Sequence, residues 1–293
     1  MEIGMDAIIT RTSVRTYNGT PLTADEEKVL RAAFVEAVPG PFGATPRFLL
    51  ATRDDIEDKA SHTTSVKGGI RIGTYGMIVG PPAFIAGVVA KRPFACVDFG
   101  YCMEGIVLRA TELGLGTCWI GGAFSRSAIA RSLCAGTDEF VPATTPVGRA
   151  ARKPTLQDRI VRGSARAGTR KAHSALFFAA DDGGGLVPIG NVGKWETVLE
   201  AVRIGPSASN KQSWRLVVDR RDGDVLHLVL YEDQAYNNML GLVKLQELDM
   251  GIAMRHVEVS AHAAGIPGQW TRLDPDPVKL ESPSKYIATF ALP

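Results

Sequence analysis

The sequence has few cysteines and few histidines. Among 293 residues there are 4 cysteines and 5 histidines, and the cysteines form no CxxC pair and no paired Cys/His spacing. That scarcity argues against a structural zinc site and against a disulfide framework, so no metal site is predicted. The thiols are expected to be reduced and buried, as in a cytoplasmic protein; they are Cys96, Cys102, Cys118 and Cys134.

Long apolar segments and a large excess of one charge are also missing. Residues 77–90 form the longest nearly apolar run, which is shorter than the roughly 20 residues of a membrane-spanning helix. The N-terminus has no cationic start followed by an apolar stretch, so neither a signal peptide nor a membrane anchor is expected. A net charge of +2 gives no electrostatic footprint for nucleic acid, and the basic segment 149–171 is interpreted as a solvated linker.

The signatures of several common enzyme classes are absent as well. The chain has no GxxxxGK(S/T), HExxH or GxSxG motif and no strict GxGxxG. His256 and His262 lie on different faces of a predicted helix, which favours packed or solvent-facing side chains over a metal pair. With 45% hydrophobic and 22% charged residues, the chain can nevertheless bury a sizeable core.

Two segments offset by 151 residues (249 − 98) carry the same pattern. Each begins with an aspartate, has a glycine two residues later, and ends with a glycine that precedes a tryptophan by five residues. Apolar residues in between recur at helical spacing, which predicts a helix with one apolar stripe and a left-handed glycine at its end. This agreement without a gap favours duplication over coincidence. The paired positions are Asp98 and Asp249, Gly100 and Gly251, Gly114 and Gly265, and Trp119 and Trp270.

The remaining elements predict a mixed α+β fold. Thr23 and Glu26 form a capping box that predicts the start of a helix, and another helix is predicted from Trp195 to Val202. Apolar strands are predicted at residues 47–52, 83–90, 214–219, 225–231 and 286–292. Because helices and strands mix within each half, the predicted class is α+β, with related tandem halves at residues 1–160 and 161–293.

Three polar or glycine-rich segments are candidates for a binding site. Residues 11–15, Arg-Thr-Ser-Val-Arg, offer donors suited to a phosphate, although a surface strand would have the same composition. Residues 205–214 concentrate short hydrogen-bonding side chains between a helix and a strand, where an ordinary polar turn is the alternative. Residues 114–122 would let the backbone approach a flat ring closely, or would simply make a tight turn.

Together the three segments resemble the FMN-dependent nitroreductase family. Residues 11–15 are similar to its R-x-S-x-R opening, and residues 114–122 to its G-L-G-T-x-W-I-G-G turn. Residues 206–214 are similar to its P-S-x-x-N-x-Q-P-W loop, with Ser213 in place of the usual proline. That loop lies in the second half of the chain. The resemblance therefore points to the subfamily with two fused halves, and it implies a nitroreductase-like fold in which they form an intrachain pseudo-dimer.

In that family FMN is held where two subunits meet, and the resemblance implies which residues hold it here. The phosphate and ribityl end would be held by residues of the first segment: Arg11, Thr12, Ser13 and Arg15. The isoalloxazine near its N5 would lie against Ile120, Gly121 and Gly122. The second half would reach across with Pro206, Ser207, Ala208, Ser209 and Asn210. A further cation on the phosphate could come from Arg149 or Arg152.

The resemblance implies an oxidoreductase that passes electrons from NADH or NADPH through FMN to a small-molecule acceptor such as a nitroaromatic or a quinone. Pro39 to Pro46 replace the expected Pro-Ser-x-x-Asn loop in the first half, and the second half has no Arg-x-Ser-x-Arg segment. We therefore expect one FMN per chain and a monomeric pseudo-dimer. Alternatives left open are dehalogenation or dehydrogenation beneath a lid at Ser61 to Tyr75, an FMN storage or sensor protein, and a structural relic with decayed sites.

Overall fold

The computed structural model describes residues 3–52, 78–122, 124–152, 168–190, 192–221 and 225–292. The lid candidate at Ser61 to Tyr75 and most of the segment 149–171 lie outside these ranges. The helices within them are α1 (Met5–Thr10), α2 (Ala24–Glu36), α3 (Ala95–Glu112), α4 (Arg126–Ser132), α5 (His173–Leu176), α6 (Glu196–Arg203), α7 (Gln234–Asn238) and α8 (Leu245–Ala263). Among these helices, none is both long and apolar enough to cross a lipid bilayer.

The strands of each half form a separate sheet. The first sheet contains β1 (Arg47–Thr52), β2 (Ala83–Ala90), β3 (Gly116–Thr117), β4 (Glu139–Phe140) and β5 (Thr144–Gly148). Its order is β1-β2-β5-β3, with β4 also paired to β2. The second sheet contains β6 (Phe177–Ala180), β7 (Leu186–Pro188), β8 (Trp214–Asp219), β9 (Val225–Tyr231), β10 (Gln269–Thr271) and β11 (Ser284–Ala291). Its order is β10-β11-β9-β8-β6-β7. The predicted boundary between residues 160 and 161 lies outside the described residues and stays a prediction.

The locally encoded elements agree closely with the sequence. Strands β1, β2, β8 and β9 begin and end at the predicted residues. The fifth predicted strand, 286–292, is observed as β11, which starts earlier because Ser284 pairs with Tyr231 of β9. The capping box is confirmed: the N–H of Glu26 donates to the Thr23 hydroxyl at 3.2 Å, and the N–H of Thr23 donates to the Glu26 carboxylate at 2.7 Å.

Helices α3 and α8 pack against each other and share one core with strands of both sheets. A Cβ atom at Gly100 would collide with the carbonyl of Leu248, and a Cβ atom at Gly251 would collide with the carbonyl of Val97. Glycine at these two positions therefore lets the two helix backbones touch. The repeated Asp-x-Gly pattern marks the place where two equivalent helices cross.

The prediction of a single apolar stripe on these helices was wrong. Residues 95–110 of α3 are all buried, including the polar side chains of Asp98, Glu104 and Arg109. The reason is that each helix is covered on several sides, by the other helix and by neighbouring helices and strands, rather than lying on one face of a sheet. The predicted helix ends are confirmed, because Gly114 and Gly265 have φ values of 71° and 68°, the left-handed conformation of a glycine cap.

Three of the four cysteines are buried, as expected from the absence of paired Cys/Cys or Cys/His spacings, and Cys134 is exposed. It follows the short helix α4 and has a φ of 47°. The prediction of four buried thiols was wrong at this position, because a helix terminus at a surface turn leaves its side chain in solvent.

Candidate functional site

A cavity of about 440 Å³ lies between the two halves, and all three candidate segments line it. The first half contributes Arg11, Thr12, Ser13, Arg15, Ile120, Gly121 and Gly122. The second half contributes Pro206, Ser207, Ala208, Ser209 and Asn210. Segments that are up to about two hundred residues apart in the sequence thus converge at one place, as the resemblance implied.

The segment of residues 11–15 follows helix α1 and is tied into the first half by backbone hydrogen bonds. The N–H of Val14 donates to the carbonyl of Thr117 at 2.8 Å, and the N–H of Val79 donates to the carbonyl of Arg15 at 2.8 Å. These bonds fix the segment beside β3. Arg11 and Arg15 are partly buried at the cavity, so the alternative of a surface strand with exposed charges is not what the structure shows.

Arg11 is a partly desolvated cation at the cavity. Burial lowers the pKa of its guanidinium, while the nearby Glu104 carboxylate partly opposes that shift. Its buried Nε atom has no hydrogen-bond partner among the described residues. A buried cationic donor without an acceptor is costly, so the arrangement suits a ligand that brings an anionic oxygen.

Glu104, whose charge acts on Arg11, belongs to a buried polar network with Trp119 and His256. Glu104 accepts a hydrogen bond from the Trp119 indole at 2.7 Å and lies 2.9 Å from Nε2 of His256. Nδ1 of His256 lies 2.8 Å from the carbonyl of Ala201 and must donate to it, because a carbonyl only accepts. His256 is therefore a packed core histidine, as predicted, while His262 is exposed.

The glycine turn presents open backbone to the cavity. Ile120 exchanges two backbone hydrogen bonds with Thr144, at 2.9 and 3.0 Å, which fixes the start of the turn. A Cβ atom at Gly121 would collide with the side chain of Leu245, whereas one at Gly122 would meet no atom within 4 Å. A side chain at Gly121 would therefore have to displace the end of Leu245 on α8, and the backbone at Gly122 leaves room for a flat ligand.

The loop at residues 205–213 is a tightly bonded structure rather than a loose turn. Ser209, Asn210 and Gln212 have φ values of 49°, 53° and 48°. The hydroxyl of Ser207 accepts the N–H of Gln212 at 3.0 Å, and the hydroxyls of Ser209 and Tyr236 are 2.8 Å apart. Positive φ values at non-glycine residues indicate a backbone held in shape by its surroundings.

Ser213, which replaces the proline of the family loop, has a structural role of its own. Its hydroxyl accepts a hydrogen bond from the Gln246 amide at 2.5 Å. Gln246 in turn accepts the N–H of Asp233 at 3.0 Å. The hydroxyl thus ties the end of the loop to helix α8.

Neither Arg149 nor Arg152 lines the cavity. The guanidinium of Arg149 donates to Glu26 at 2.6 Å, which holds it against helix α2, and Arg152 is exposed. Arg170 lines the cavity instead, and burial lowers the pKa of its guanidinium. Arg170 is the last arginine of the basic segment 149–171, which was interpreted as a solvated linker. Composition alone does not indicate that this side chain lines a cavity.

Asp249 is a further site residue that the sequence patterns did not indicate. It lines the cavity and is 2% exposed. Its Oδ1 accepts the N–H of Ala208 at 2.9 Å, which anchors the loop on helix α8. The available signal was the Asp98/Asp249 repeat, which indicated duplication but not contact with a ligand.

The lining suits a flavin mononucleotide. Guanidinium groups come from Arg11, Arg15 and Arg170, and apolar wall comes from Ile120, Leu245, Leu248 and Ile252. Cations and hydroxyls fit a phosphate and a polyol chain, while apolar side chains and open glycine backbone fit a flat ring. The donor without an acceptor at Arg11 is what a phosphate would satisfy.

Comparison with solved structures places the fold. A protein from Thermotoga maritima MSB8, described as a "putative nitroreductase", has a TM-score of 0.52 at 18% identity, covering 99% of this chain and 92% of that chain. A nitroreductase family protein from Clostridium novyi NT has a TM-score of 0.40 at 25% identity and covers 54% of this chain and 91% of its own. A nitroreductase with bound FMN from Bacteroides fragilis NCTC 9343 has a TM-score of 0.38 at 20% identity and covers 52% and 90%.

The sequence itself matches a family model over nearly its whole length. Comparison with curated proteins gives no match. The family described as "Putative TM nitroreductase" matches residues 4–261, a range that extends well into the second half and includes all three segments of the cavity. The chain therefore belongs to this nitroreductase family and has its α+β fold of two tandem related halves.

Proposed function

We propose that the protein is an FMN-dependent oxidoreductase that uses NADH or NADPH to reduce an electron-poor small molecule, such as a nitroaromatic or a quinone. The observation that carries the proposal is the cavity between the halves, where the arginine segment, the glycine turn and the second-half loop meet. When bound, FMN supplies the electron-transfer chemistry at its N5.

The residues of the chain would bind and orient the cofactor. Arg11 and Arg170 would neutralise the phosphate, and the hydroxyls of Thr12 and Ser13 would donate to the phosphate and ribityl oxygens. The backbone of Gly122 would lie against the ring, where its N–H can stabilise a changing charge. Leu245 and Leu248 would exclude water from one side of the ring.

The proposal is tested by cofactor retention and turnover. The purified protein should show the absorbance of a bound flavin after FMN is added and the sample is desalted. It should then oxidise NADH or NADPH rapidly when a nitroaromatic or quinone is supplied. Retained flavin without turnover would favour a storage or sensor protein, and no retained flavin would refute the proposed function.

We also propose that one FMN binds per chain. In the first half, the loop that corresponds to residues 205–213 closes on Asp98, and Phe42 stacks on Phe94 with 4.4 Å between ring centroids. These contacts support the proposal that protein side chains fill the interface on that side, so that no second FMN binds there. The molar concentration of bound flavin, measured from its absorbance, should therefore equal the molar concentration of protein. A ratio near two would contradict the proposal.

The fused halves would make a second subunit unnecessary for a complete site, so we propose a monomer. Light scattering coupled to size exclusion should give a mass near 31.4 kDa. A stable dimer at low micromolar concentration would contradict this proposal without affecting the flavin site.

A further inference from the structure

The two aspartates of the repeat differ in how their carboxylates are satisfied. Asp98 on α3 accepts the N–H of Phe42 on Oδ1 and the N–H of Ala44 on Oδ2, each at 2.8 Å. Asp249 on α8 accepts the N–H of Ala208 on Oδ1 at 2.9 Å. Its buried Oδ2 has no hydrogen-bond partner among the described residues. The first-half loop therefore uses both oxygens of its aspartate, and the second-half loop leaves one.

The remaining oxygen belongs to a residue of the cavity wall. Asp249 lines the cavity beside Ala208, which it anchors, and it is 2% exposed. A buried polar atom without a partner is costly, and nearly all such atoms in folded proteins are satisfied by protein, water or ligand. The equivalent position in the other half has no such cost. The difference between the two aspartates therefore points to a ligand atom at Oδ2.

The surroundings of Asp249 favour its protonated form. Burial raises the pKa of this carboxyl to about 8, and the hydrogen bond from Ala208 only partly opposes the shift. At neutral pH the side chain is then a carboxylic acid, with an O–H that can donate rather than a second accepting oxygen.

Other titratable groups face the same region. Tyr236 on α7, whose pKa is raised by burial, is paired with Ser209. Lys171 donates to the carbonyl of Gln212 at 3.4 Å, and burial lowers the pKa of its ammonium. On α3, the carboxylate of Asp98 accepts hydrogen bonds from the first-half loop, at Phe42 and Ala44. The guanidiniums of Arg11, Arg15 and Arg170 also line the cavity, and burial lowers the pKa of those of Arg11 and Arg170.

We propose that Asp249 is a flavin-binding residue that acts as a neutral acid, donating a hydrogen bond from Oδ2 to an acceptor atom of the bound flavin. This inference rests on the proposed function. Its consequence is a flavin affinity that falls when Asp249 ionises, because the donor is lost and a buried negative charge takes its place. The contribution of this hydrogen bond to flavin binding is complete below the raised pKa of Asp249 and is lost as the pH rises through that pKa.

The test is FMN binding as a function of pH, followed by quenching of flavin fluorescence in the wild-type protein and two variants. The wild-type dissociation constant should rise above about pH 8, by up to about tenfold per pH unit. Asp249→Asn replaces the acid by an amide that donates at every pH, so its dissociation constant should stay nearly constant over the same range. Asp98→Asn changes the equivalent aspartate of the other half and should keep the wild-type rise.

The two variants separate Asp249 from Lys171 and from the flavin itself, because both of these titrate equally in Asp249→Asn. A constant wild-type affinity, or the same rise in Asp249→Asn, would overturn the inference while leaving the flavin site intact. Failure of the wild-type protein to bind FMN at any pH would instead refute the proposed function. If Asp249→Asn does not fold, Asp249→Ser, which also carries a donor that does not titrate in this range, replaces it in the same comparison.

Discussion

Replacing Arg11 with alanine is expected to weaken FMN binding by about 10- to 150-fold, because a charge-assisted hydrogen bond contributes roughly 1.5–3 kcal/mol. Arg11 lines the cavity, and its buried Nε has no hydrogen-bond acceptor among the described residues, so the guanidinium can donate to a phosphate. The measurement is a titration of apoprotein with FMN, followed by flavin fluorescence.

Riboflavin, which lacks the phosphate, separates binding from folding. If Arg11 acts on the phosphate, Arg11→Ala should bind riboflavin nearly as well as the wild-type protein does. Arg149→Ala is the matched control: it removes a guanidinium that pairs with Glu26 outside the cavity, and FMN affinity should not change. An equal loss for FMN and riboflavin in Arg11→Ala would show that Arg11 only supports the fold around Glu104.

Replacing Gly100 with alanine should destabilise the protein by about 1–3 kcal/mol or more, the range of an overpacked core. The added Cβ would collide with the carbonyl of Leu248, so helices α3 and α8 would have to separate along their contact. Backbone cannot move aside as a flexible side chain can. Chemical unfolding in urea, with the midpoint and slope compared to wild type, measures the loss.

Gly105 on the same helix is the matched control. A Cβ atom there would lie 3.3 Å from Nε of Arg255, at the end of a flexible side chain. Gly105→Ala should therefore be close to neutral, since a gain in helix propensity of up to about 1 kcal/mol offsets a small shift of the guanidinium. Equal destabilisation by the two substitutions would show that any added volume in α3 is harmful and that the backbone contact is not special.

Much of the fold was predictable because it is encoded locally. Strands β8 and β9 are apolar runs between turn residues, and their observed ends match the predicted ones. The capping box at Thr23 and the glycine helix ends depend on backbone geometry within a few residues. Such features do not require knowledge of the tertiary contacts.

What the sequence did not predict depends on contacts between distant residues. The burial of α3 on all sides follows from its contact with α8, which no pattern within α3 reveals. The choice of Arg170 over Arg149 was hidden for the same reason, since Glu26 engages Arg149 from a helix more than a hundred residues away. For Asp249, the sequence shows a repeated aspartate but not how many N–H groups reach it.

The carboxylate of Asp98 accepts two backbone hydrogen bonds and that of Asp249 accepts one, a difference that bears on how the protein can evolve. In a symmetric assembly of identical chains, each substitution appears at both interfaces, so neither can be altered alone. Two copies joined in one chain are free of that constraint. The first-half loop donates two backbone hydrogen bonds to Asp98, beside the stacked rings of Phe42 and Phe94, and its role is structural. The second-half loop is bound to only one oxygen of Asp249, whose other oxygen has no hydrogen-bond partner among the described residues, and it lines the cavity. This loop can therefore specialise for chemistry while the first-half loop maintains the architecture.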